Sequence, residues 1–114
     1  MAEVELSIRI DLETGERIGP GRIALLEAIR KTGSITAAAK SMHMSYRRAG
    51  RHVDELNRLL AEPVVTTSAG GFTRGGTTLT PVGEKIIALY HSVEAQARAA
   101  GRTEFQSLGK LIRS

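Results

Sequence analysis

Arg47, Arg48, Arg51 and Arg58 crowd one short segment, with Ser45 and Tyr46 just ahead of them. A guanidinium is a permanently charged planar fork, able to bond two acceptors at once on a base edge or a phosphate. Side-chain hydroxyls such as those of Ser45 and Tyr46 also donate to phosphate oxygens. The chemistry on offer is non-covalent recognition of a polyanion, and it requires the guanidinium groups to share a face. At about 100° per residue in a helix, Arg47, Arg51 and Arg58 do so, with Arg48 on the flank and Tyr46 near the helix start. Ala49, Val53, Leu56 and Leu60 recur on the opposite side as a core-facing stripe. A plainer reading stands beside this one: the exposed arginines can form solvated pairs with Asp54 and Glu55, such as Arg51 with Glu55, and Tyr46 can be a core or capping residue.

The elements that must position these groups follow from the flanking sequence. Ser34 can cap a short alanine-rich helix over Ile35 to Ser41, and Ser45 can cap the arginine-bearing helix that follows. Two helices joined by so tight a turn form a helix-turn-helix unit, whose second helix suits the major groove of DNA. Ser34, Thr36 and His52 therefore join Ser45, Tyr46, Arg47, Arg48 and Arg51 as candidate DNA contacts. Upstream, Val4, Leu6, Ile8 and Ile10 alternate with polar residues, which predicts a half-buried strand. A turn at Thr14-Gly15-Glu16 and a break at Gly19-Pro20-Gly21 precede a helix from about Arg22 to Lys31, ended by Gly33.

Downstream, Glu62-Pro63 breaks the helix, and the β-branched run Val64 to Thr67 predicts a strand. Ser68 to Gly76 carries four glycines around Phe72 and Arg74, and Thr77 to Thr80 returns as a second strand. The tip of this hairpin can carry Arg74 to a phosphate. Thr80 or Pro81 opens a long helix to about Ala100, on which Val82, Ile86, Leu89, Tyr90 and Val93 form an apolar stripe. So much apolar surface on one helix of a small domain predicts a homodimer built on that stripe. Phe105, Leu108, Leu111 and Ile112 form a weaker pattern in a tail that is helical or frayed, and that could instead fold back over the stripe. Residues 1–100 thus make one domain and 101–114 its tail.

Composition narrows the function classes. The net charge of +4 divides unevenly: residues 1–19 carry −3 and the remainder +7. A basic body favours polyanions. There is no Cys, which removes disulfides and thiolate metal sites. His43, His52 and His91 are dispersed, so no metal is expected. The glycine-rich loop lacks the trailing lysine of a phosphate-binding loop and precedes a strand, so no nucleotide cofactor is expected either. No nucleophile elbow, triad spacing or carboxylate pair argues for an enzyme. No apolar run is long enough for a membrane span, and the acidic start MAEVELSI lacks a signal peptide's basic region; both point to a cytoplasmic protein.

In the early alternating strand, RIALLEAIRKTGSI at Arg22 to Ile35, MSYRRA at Met44 to Ala49, the glycine-rich hairpin tip and LTPVGEKIIALY at Leu79 to Tyr90, the chain resembles the N-terminal DNA-binding domain of the ModE regulators. GSITAAAKSMHMS and LTPVG are also similar to the LysR-type pattern. The resemblance covers roughly residues 3 to 97. It implies a mainly α fold with a small β component, a winged helix-turn-helix with a long C-terminal dimerisation helix, that binds double-stranded DNA as a transcriptional regulator. ModE regulators continue into a molybdate-binding region, and no molybdate site is expected in the residues up to Ser114. The rival reading is an interaction adaptor that keeps the winged fold for dimerisation without binding DNA.

Overall fold

In the computed structural model, which describes residues 3–67 and 76–113, α1 (Pro20–Thr32) starts on a proline and stops on a glycine. Pro20 costs nothing in the first turn, where no backbone N–H is needed. Gly33 takes a left-handed φ of 70° and returns its N–H to the Ile29 carbonyl at 2.7 Å. That conformation is disfavoured by a Cβ. Because the chain turns here, α2 (Ile35–Ser41) begins at once, with Ser34 Oγ accepting from Ala37 N at 3.1 Å. Ala38 and Ala39 are buried, and their small side chains let α2 pack tightly against α1 and α3. His43 adopts a positive φ of 55° in the connecting turn. Ser45 then caps α3 (Tyr46–Leu59), its Oγ accepting from Arg48 N at 3.1 Å.

The core lies where α1, α2 and α3 meet, built from Ile23, Leu25, Leu26, Ile29, Ala49, Val53 and Leu56. Leu60, just past α3, packs half-buried against it. The wing strands β3 (Val65–Thr67) and β4 (Thr77–Leu79) pair antiparallel, Val65 opposite Leu79 and Thr67 opposite Thr77. Thr77 N also donates to the Gly33 carbonyl at 3.1 Å, which ties the wing to the α1–α2 corner. Thr80 locks the far end. Its hydroxyl donates to the Pro63 carbonyl at 2.7 Å and accepts from Gly83 N at 3.1 Å, capping α4 (Pro81–Ala100). Gly83 itself admits no side chain: a Cβ there would run into the Val64 carbonyl and come within 2.8 Å of Leu79. The glycine of the LTPVG segment is thus a point where α4 rests directly on the wing.

Two expectations need correction. The alternating N-terminal segment pairs only at its end, as β1 (Ile10–Asp11) with β2 (Arg17–Ile18). Val4, Leu6 and Ile8 are half-buried and Glu5, Ser7 and Arg9 exposed, so the alternation reports one-sided burial without a ladder. The segment packs against helices: the Tyr90 hydroxyl donates to the Ile8 carbonyl at 2.8 Å, and Val4 shares a concavity with Phe105. Tyr90 is the second correction. Only 2% exposed, it belongs to the core of its own chain and not to the surface stripe of α4. Val82 and Ile86 are half-buried against the same core, while Leu89 and Val93 stand 53% and 47% exposed.

After Gly101 the chain continues as α5 (Arg102–Leu111), with the Phe105 ring against Gly101. Leu108 and Leu111 are exposed, so the tail leaves Leu89 and Val93 uncovered. No helix among the described residues is long and apolar enough to cross a membrane.

Charged side chains fasten α4 across α1. Arg30 pairs with Glu84 at 2.7 Å, and His91 bridges Glu27 and Glu94 at 3.1 Å each. The hydrogen bonds to Glu94 first, and to Glu27 second, raise the His91 pKa above its ordinary value. A base with a raised folded pKa stabilises the fold fully below its unfolded value, 6.5, and loses that contribution as pH rises through the folded value. The difference in melting midpoint between the chain and His91→Gln is therefore expected to be largest below pH 6.5 and to shrink above it. A difference that stays constant with pH would contradict the bridge.

Candidate nucleic-acid interface

On α3 the buried residues Ala49, Val53 and Leu56 face the core, and Arg47, Arg51 and Arg58 stand exposed on the other side. From Arg47 to Arg58 the helix rises about 16 Å, so the three guanidiniums form a row as long as several base steps. Tyr46 opens the row, 60% exposed, which removes it from the core. These side chains border a depression that runs from Ile35 at the start of α2, past Gly50, to Thr67 on β3. Recognition helix, α2 N-terminus and wing base thus share one surface. Thr36 and Ser45 are exposed, while Ser34 is half-buried and its hydroxyl is engaged in capping α2.

Asp54 lines the same depression as the arginine row, but among the described residues no carboxylate is paired with the row. Arg47, Arg48, Arg51 and Arg58 make no ion pair among the described residues. Glu55, the partner that could have neutralised Arg51, is taken by Arg22 of α1, which also holds Glu16 at 3.3 Å. The Arg22 side chain is only 13% exposed, so this triad is anchored from behind. Its Nε donates to His52 Nδ1 at 3.2 Å. Burial first, then the neighbouring Arg22 charge, lowers the His52 pKa. With Nδ1 accepting, the imidazole is neutral and carries its proton on Nε2. His52 therefore sits beside the arginine row, turned toward α1, as a neutral group.

Sequence reasoning missed Arg22 because its partners lie thirty or more residues away, at His52 and Glu55. It also missed Asn57. The Asn57 Oδ1 accepts from Val64 N at 2.8 Å and Val65 N at 3.3 Å, and its Nδ2 donates to the Val65 carbonyl at 3.3 Å. One amide thereby fixes where the wing leaves α3. The local signal was a polar residue on the helix flank shortly before a proline and a β-branched run. Asn57→Ala strands the buried Val64 N–H and should cost about 1–3 kcal/mol. A denaturant midpoint unchanged by that substitution would contradict this role. Arg74, expected at the wing tip, lies outside the described residues.

Electrostatically the surface is a row of cations without ion pairs among the described residues, on a helix whose width matches the major groove, with the single carboxylate of Asp54 among them. It can bind phosphates and base edges. Residues 21–84 match the family model described as bacterial regulatory helix-turn-helix protein, lysR family. The molybdenum-pterin-binding protein MopB of Rhodobacter capsulatus is 54% identical over 82 residues, 72% of this chain and 30% of its own. The molybdenum transport protein ModE of Azotobacter vinelandii is 42% identical over 91 residues, 80% of this chain and 34% of its own. The chain thus spans about a third of the length of these relatives. Among solved structures, the DNA-binding domain of CbnR, crystallised with DNA, superposes with a TM-score of 0.58 at 22% identity, covering 76% of this chain and 95% of that one. Likeness at that identity shows a shared winged-helix fold.

Proposed function

The chain belongs to the lysR-type family of bacterial regulatory helix-turn-helix proteins and is similar to the N-terminal third of ModE regulators, and from that premise we propose a sequence-specific DNA-binding regulator that acts as a homodimer. The observation that carries the reading is the exposed arginine row of α3, which makes no ion pair among the described residues, Glu55 being held by Arg22. Arg47, Arg51 and Arg58 enter the major groove from α3. Ser45, Tyr46 and Arg48 at its N-terminus, with Ser34 and Thr36 on α2, meet phosphates on the two groove walls. Arg74 reaches a phosphate or the minor groove from the wing. Leu89 and Val93, with the edges of Val82 and Ile86, meet the same residues of a second copy.

The mode of action is occupancy of an operator in the cytoplasm, without catalysis. Operators of molybdenum transport genes are the first to test, since one of the relatives is named a molybdenum transport protein. Selection from random duplexes, followed by titration over a range of salt, tests the reading. An enriched inverted repeat with steeply salt-dependent affinity is expected. No enrichment and no salt dependence would leave the winged domain as an interaction module only.

A further inference from the structure

The flank of α3 away from the wing holds a second basic surface. Arg9 and Arg17 from the N-terminal hairpin, Arg22 from the start of α1, and Arg48 and His52 from α3 line one concavity of about 480 Å³, with Met44 beside them. No carboxylate lines it among the described residues. The acids of this region stand outside the lining and hold two of the arginines in place: Asp11 pairs with Arg9 at 2.9 Å, and Glu16 and Glu55 pair with Arg22. Arg17 and Arg48 have no ion pair among the described residues. His52 adds a neutral Nε2–H donor, its Nδ1 being occupied by Arg22. Four arginines from three elements thus border a space large enough for a phosphate group, and two of them, Arg17 and Arg48, make no ion pair among the described residues.

The position of this concavity says which phosphate. A helix in the major groove, about 12 Å wide, has a sugar–phosphate backbone along each wall. On one side of the arginine row lie Tyr46, Gly50 and the wing residue Thr67. On the other side, rotated roughly 100° about the α3 axis from Arg47 and Arg51, lie Arg48 and His52. The wing and the arginine concavity therefore flank the recognition row from opposite sides. We infer that the concavity seats a backbone phosphate of the DNA strand on the groove wall opposite the wing, which makes the N-terminal hairpin a second clamp. This inference rests on the DNA-binding reading above and extends it to residues outside the helix-turn-helix.

Arg17→Ala tests it without disturbing the fold, because the Arg17 side chain makes no hydrogen bond or ion pair among the described residues, while its backbone pairs with β1 and accepts from Arg22 at 3.3 Å. The selected duplex and a random duplex are titrated over a range of salt with the unaltered chain, Arg17→Ala, Arg17→Lys and Arg47→Ala. For Arg17→Ala the salt slope should fall by about 0.9, equivalent to about eightfold weaker binding at 0.1 M salt. The loss should be equal on both duplexes, and Arg17→Lys should restore most of it. Wild-type affinity and slope in Arg17→Ala, alongside a selective loss in Arg47→Ala, would overturn the clamp and leave the function standing. Absence of salt-dependent binding by the unaltered chain would overturn both.

Discussion

Arg47→Ala and Arg51→Ala should each weaken binding to a selected duplex by about 1–3 kcal/mol while leaving the fold intact. Both guanidiniums are exposed on the face of α3 opposite Ala49, Val53 and Leu56, so their removal opens no cavity. Neither holds an ion pair among the described residues, so no carboxylate is left uncompensated. What is lost is a bidentate contact that distinguishes one base from another, together with one charge. Binding to random duplex should therefore fall less than binding to the selected one. The two residues are a single helical turn apart and, in this reading, face neighbouring bases, so the double variant need not lose the sum of the single effects. Fluorescence titration of both duplexes, with circular dichroism as the control for folding, checks this. Equal affinity in variants and wild type would remove α3 as the reader.

Leu89→Glu combined with Val93→Glu should give a folded monomer whose operator affinity is about 100-fold weaker or more, the factor by which tethering two half-site contacts strengthens binding. Leu89 and Val93 lie one turn apart on α4, about half exposed and outside the core, so two carboxylates there leave the core intact. The tail offers no cover, since Leu108 and Leu111 of α5 are exposed as well. A two-fold pairing of α4 helices buries the same residues from each copy and sets two α3 helices about 34 Å apart, one turn of DNA. Sedimentation of wild type and variant decides the matter. A wild type that is monomeric at micromolar concentration, or a variant that remains dimeric, would contradict the α4 interface.

The parts of the molecule that were legible in its sequence are those fixed by local chemistry. Ser34, Ser45 and Thr80 each cap the helix that follows, because a short hydroxyl side chain in extended backbone reaches the third amide beyond it. Gly33 stops α1 for the equally local reason of its φ. The split of α3 into a buried stripe and an arginine row follows from helical periodicity alone. Long-range geometry was not legible. Period-two burial at Val4 to Ile8 says that one side is covered, and it does not say whether strand or helix does the covering. Tyr90 shares a stripe with Leu89 and Val93 on paper, yet the Ile8 carbonyl, far away in the chain, draws its hydroxyl inward. Glu55 has an arginine at helical spacing in Arg51, and its actual partner is Arg22 on another helix. That choice, invisible in the local pattern, is what keeps Glu55 from pairing with Arg51.

Protection of guanine N7 from methylation in the selected duplex tests the central claim most directly, since N7 lies in the major groove and is where an arginine fork bonds. With wild type at saturation, the account predicts protected guanines in two clusters about one helical turn apart. Arg47→Ala and Arg51→Ala, each brought to saturation at higher concentration, should expose individual guanines within those clusters and leave the others protected. Guanines that stay fully reactive beneath a saturated complex, or a protection pattern unchanged in both variants, would contradict the placement of α3 in the major groove.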